Sequence, residues 1–103
     1  MIVYISIGNS DDKLTQHEWS AYAAAVDRTF EHAARYEGSR VHGRWYSLPT
    51  EPWQNACWCI EFTDGMDEIV AQYRAELRRL AGVFRQDSIA WVDVPKTEFL
   101  AAS

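Results

Sequence analysis

The chain has 103 residues, a formal charge of −5, and a composition 48% apolar and 14% aromatic. This length suits a single domain, residues 1–103, with one core, and the acidic balance argues against a polynucleotide or an anionic membrane as partner, since both need a basic field. No stretch is long and apolar enough to span a bilayer, and two cysteines make a poor disulfide framework, so a reducing, cytoplasmic setting is expected.

The opening MIVYISIGNS lacks the basic region and cleavage site of a signal peptide. Its β-branched and aromatic residues 2–7 read as a first strand that ends in the turn signal Gly8-Asn9-Ser10. Thr15 with Glu18 three residues on forms a capping box, and Leu14 with Trp19 occupies the hydrophobic-staple positions. These signals predict a helix from Gln16 with an apolar stripe of Trp19, Ala23, Val26, Phe30 and Ala33. Gly38 is the expected stop, which ends the helix at Tyr36 or Glu37.

Residues 40–47 read as a second strand, after which Pro49 and Pro52 forbid a continuing ladder. Residues 56–62, ACWCIEF, read as a third. A second helix should follow an Asp64 cap, bury Ile69, Tyr73, Leu77 and Leu80, and stop near Ala81 before Gly82. Residues 88–94 read as a fourth strand closed by Pro95, with a loosely docked tail beyond.

The resulting order is β-α-β-β-α-β over residues 2–94, which resembles the ferredoxin-like α+β sandwich. The resemblance implies a four-stranded antiparallel sheet with both helices on one face and the other face open. Strand alternation puts Ala56, Trp58, Ile60 and Phe62 under the helices, together with Val3, Ile5 and Ile7. In the second strand it puts Val41 and Trp45 inward, with Gly43 between them permitting close helix approach, and Arg40, His42, Arg44 and Tyr46 outward. The fourth strand is ambiguous, because a one-residue shift exchanges Ile89 and Trp91 for Ala90, Val92 and Val94. The open face therefore carries Tyr4, Cys57, Cys59, His42, Arg44 and Tyr46, with Trp91 a further candidate, and an apolar face of this kind marks an interaction site.

Several chemistries can be weighed on these residues. A Cys57–Cys59 disulfide is disfavoured, since i and i+2 of a strand lie roughly 6.5–7 Å apart at Cα. A metal on Cys57, Cys59 and His42 matches no common zinc spacing. Asp11, Asp12 and His17 could hold a cation, but acids here equally suit the start of a helix. No nucleophile elbow, phosphate-cradling glycine loop or zincin motif is present. No metal or cofactor is therefore expected. The loop 47–55 exposes Trp53 beside Gln54 and Asn55, as either a functional element or a lid on the core.

Three functions follow. The first is a non-enzymatic binding module, a homodimer through the open face, that takes a small planar or anionic, nucleotide-like molecule on Tyr4, Arg40, His42, Arg44, Tyr46, Trp53, Asn55 and Trp91. The second is an acidic protein-interaction or inhibitor module, since short, tryptophan-rich acidic domains resemble uncharacterised bacterial and bacteriophage small proteins. The third is a cofactor-free enzyme similar to the dimeric α+β barrels, with His42 as general base and Arg44 as anion stabiliser.

Overall fold

The computed structural model describes residues 1–9, 12–48, 50–51, 53–96 and 98–102. Ser10, Asp11, Pro49 and Pro52, on which parts of the turn, cation and loop readings rest, lie outside the described residues. The elements are β1 (Ile2–Gly8), α1 (Gln16–Tyr36), β2 (Arg40–Tyr46), β3 (Asn55–Glu61), α2 (Asp67–Val83) and β4 (Ala90–Val94). They form one antiparallel sheet of order β2-β3-β1-β4, the ferredoxin-like α+β arrangement.

Unbroken alternation in the central strands decides where the core lies. β1 and β3 pair Val3 with Ile60, Ile5 with Trp58 and Ile7 with Ala56, and all six are buried. The helices bury Tyr22, Val26 and Phe30 from α1 and Val70, Tyr73, Leu77 and Leu80 from α2 against that same face. Burying each such side chain stabilises the fold by about 1.5–3 kcal/mol. The shortest dimension is 22 Å, enough for one helix layer on one sheet layer and no more.

Local signals explain where α1 begins and ends. Thr15 Oγ1 accepts from the Glu18 amide at 3.1 Å, and Glu18 accepts in return from the Thr15 amide at 3.1 Å, closing the capping box. Together with the guanidinium of Arg85, the Thr15 amide holds the Glu18 carboxyl below its ordinary pKa. At the other end Gly38 takes φ +68°, a left-handed value open to glycine, and the chain turns so that the Ser39 amide reaches the Ala33 carbonyl at 3.3 Å.

The second helix departs from expectation at both ends. It starts at Asp67 with Met66, not Asp64, at the cap, and Asp64 instead faces the Met1 ammonium at 3.5 Å. It runs through Gly82 to Val83, and the left-handed residue beyond it is Arg85, with φ +57°. A glycine ends a helix only where the chain needs a positive φ, and here that need falls three residues later. Ile69 is half-buried at the core edge while Val70 is buried.

The predicted α1 stripe missed Tyr22, which is fully buried and stacked on Phe84 at 4.8 Å, with Trp19 half-buried beside it. Its hydroxyl has no hydrogen-bond partner among the described residues, and burial pushes its pKa up to about 12. An unsatisfied buried hydroxyl costs about 1–3 kcal/mol. Tyr22→Phe should therefore raise the urea midpoint, by about 1 kcal/mol of stability at neutral pH. Since the folded pKa lies above the unfolded value near 10, stability is intact below pH 10 and falls as the pH rises through 12. The substituted chain should lose roughly 3 kcal/mol less on that alkaline side, which denaturation at pH 7 and pH 11.5–12.5 would measure. Equal alkaline loss in both chains would show that Tyr22 does not ionise on unfolding.

Candidate functional site

Three strands present the face opposite the helices by simple alternation. Tyr4 lies across from Cys59 and Val92, and Ser6 from Cys57 and Ala90. β2 does not follow the pattern. Val41 pairs with Ile60, yet the next paired residue is Gly43, with Cys59, so His42 is the extra residue of a bulge. Every side chain after it changes face. Trp45, expected inward, comes to the open face opposite Cys57, and its indole stacks on Tyr4 at 6.5 Å and 27°. Arg44 and Tyr46, expected outward, go to the helix side.

Gly43 was expected to admit a helix closely. It makes room instead for Trp45, whose indole carbons lie 3.0 Å from where a Cβ would stand. The outcome is an uncovered apolar surface in which Tyr4, Trp45 and Val92 are 39%, 53% and 54% exposed around the free thiols of Cys57 and Cys59. The Cys59 thiol, engaging the Tyr4 hydroxyl, raises its pKa above the usual phenol value. At one end of the face His42 Nε2 meets Glu61 Oε1 at 2.7 Å, and Arg40, opposite Glu61, lies exposed beside them.

The remaining candidates separate. Arg44 donates to Asp27 Oδ2 of α1 at 2.6 Å, which raises the guanidinium pKa, and the other oxygen of Asp27 accepts from the buried Trp58 indole at 2.9 Å. Arg44 thus completes a structural clamp, and it lies across the sheet from His42, so the base and anion stabiliser of the enzymatic reading do not meet. Tyr46 packs edge-on against Trp58 at 6.1 Å. Trp91 lies on the helix side opposite Ile5, stacked on Phe62 at 6.2 Å. Of the two registers open to β4, this one buries the larger apolar group.

Trp53 is half exposed and outside the core, so it is no lid. Beside it, Gln54 and buried Asn9 tie the loop to the start of α1. Asn9 Nδ2 donates to Gln54 Oε1 at 2.9 Å and to the Leu14 carbonyl at 3.0 Å, while Asn9 Oδ1 accepts from the Leu14 amide at 2.9 Å. Asn55 lines a shallow hollow of about 420 Å3 that continues the open face past Trp45, Ser6 and Cys57.

Among the described residues no three His, Cys, Asp or Glu side chains gather closely enough to hold a metal ion, and no helix is long and apolar enough to cross a membrane. The strand pattern exchanges the faces of Arg44, Trp45 and Tyr46, so Trp45 is the residue of the open face that sequence reasoning missed. The signal was available in Gly43, because an isolated glycine within a strand pattern often marks a bulge. No protein-family model matches this sequence, and no curated protein matches it.

Proposed function

We propose that this chain is a small non-enzymatic binding module that works through its uncovered sheet face in a reducing, cytoplasmic setting. A second copy packs on that face, and a small planar molecule is held against the Tyr4–Trp45 stack, in the hollow toward Asn55. Arg40 and His42 at the edge would receive any anionic group on the ligand. One observation carries the reading: the sheet centre is aromatic and apolar, and among the described residues no layer lies over it. A surface of this kind left in water favours association. A two-fold pairing lets the same patch serve both subunits. Offset stacking on an aromatic pair suits a flat ligand.

Native mass spectrometry of the purified protein tests both halves at once. The expected spectrum is a dimer that retains a small organic mass, lost together with the dimer on activation. A monomer carrying nothing, at concentrations where light scattering also shows a monomer, overturns the reading.

A further inference from the structure

A second concavity lies away from the open face, where α2 meets the segment leading into β4. It has a volume of about 340 Å3, within the range of small-molecule sites. Its floor is apolar, formed by Leu77, Ile89 and Trp91. Its rim holds two arginines, Arg74 and Arg78, one helical turn apart on the same side of α2, together with Ser88.

Among the described residues these two arginines share the lack of a carboxylate partner with Arg28, Arg35 and Arg40, but Arg74 and Arg78 also line one cavity together. Arg44, Arg79 and Arg85 each hold a carboxylate at 2.6–2.7 Å. Neither Arg74 nor Arg78 holds one among the described residues, although the chain is acidic overall. The acid in the lining, Asp87, has its carboxylate oxygen 3.6 Å from Lys13 Nζ. Two like charges one turn apart disfavour the helix that carries them unless something neutralises them. Arg74 is also positioned, since its guanidinium lies 5.1 Å from the centre of the Trp91 ring. A guanidinium over an indole has no carboxylate occupying its N–H donors there, and that fork matches an oxyanion.

We propose that the α2–β4 cavity is a binding site for the phosphoryl group of a small molecule, with Arg74 and Arg78 as a paired fork and the Ser88 hydroxyl as a further donor. Trp91 is the platform that sets the angle of Arg74. The cavity exceeds the size of phosphate alone, so the Leu77–Ile89 floor takes the organic part of the ligand. The site is separate from the open face and does not depend on pairing there.

Isothermal titration with inorganic phosphate and with pyrophosphate, at constant ionic strength, provides the test, with acetate as a second arm. Binding of phosphate or pyrophosphate is expected in the parent chain and in Arg35→Gln, which removes an equal charge elsewhere. Arg74→Gln and Arg78→Gln should each weaken it about tenfold or more. Circular dichroism checks the fold of each variant. If either glutamine variant unfolds, Arg78→Lys, which keeps the charge and loses the fork, should still weaken binding severalfold. Absence of binding in the parent chain, equal affinity in all variants, or binding of acetate in place of phosphate would each overturn the assignment.

Discussion

Replacing Trp58 by alanine is expected to remove about 3–5 kcal/mol of stability, a large share of the roughly 5–15 kcal/mol available to a small domain. Trp58 is fully buried at the centre of β3, packed against Phe30 at 5.9 Å and Tyr46 at 6.1 Å. Its loss opens a cavity that the paired strands on either side cannot close. It also deprives Asp27 of the indole donor at 2.9 Å, leaving Arg44 as the partner of that carboxylate. Trp58→Phe should cost less, since much of the packing survives. Asp27→Ala should cost about 1–3 kcal/mol by leaving the indole N–H buried and unpaired. The two sites should couple, so the double substitution Trp58→Phe with Asp27→Ala should cost less than the two losses added together. Urea denaturation with an unchanged slope would measure all of these. A loss below 1 kcal/mol for Trp58→Ala would mean that the indole does not anchor the core.

The second large effect belongs to the open face. Trp45→Glu and Tyr4→Glu should each weaken the proposed pairing by about thirtyfold or more, since truncating a central aromatic at an interface costs about 2 kcal/mol or more and the added charge must also be desolvated. Both side chains are partly exposed, so far-UV circular dichroism and the urea midpoint of the separated chain should barely move. Trp91→Glu should do the opposite. It puts a carboxylate between Phe62 and α2, so it should lower stability without acting directly on the pairing surface. Light scattering across a dilution series, with denaturation of the same samples, separates the two behaviours. Dimers that persist in both face variants would move the pairing elsewhere on the molecule.

These contrasts also show where the sequence was legible. Element order, the capping box at Thr15 and the inward faces of β1 and β3 could be read directly, because local chemistry and uninterrupted alternation act over a few residues. β2 could not be read in the same way. A single extra residue at His42 exchanges its faces, and simple alternation carries no record of an insertion. β4 was undecided because both of its faces are apolar, and only packing against Phe62 and Arg74 selects Trp91 for the helix side. Arg44 changes face with Trp45 because of the same bulge, and its partner Asp27, seventeen residues away on α1, leaves no local signal. The open face and Tyr4 on it could thus be located from sequence, but Trp45 could be placed there only by taking Gly43 as the mark of a bulge.

The bulge in β2 has one more consequence. β2 and β4 are the two rims of the sheet, where unpaired backbone groups could recruit strands from other molecules. On one rim the irregularity at His42 breaks the regular ladder of amides and carbonyls, and on the other β4 spans just five residues and is followed by a proline. Neither rim is a good template for endless lateral addition, which protects so aromatic a chain from growing into fibrils.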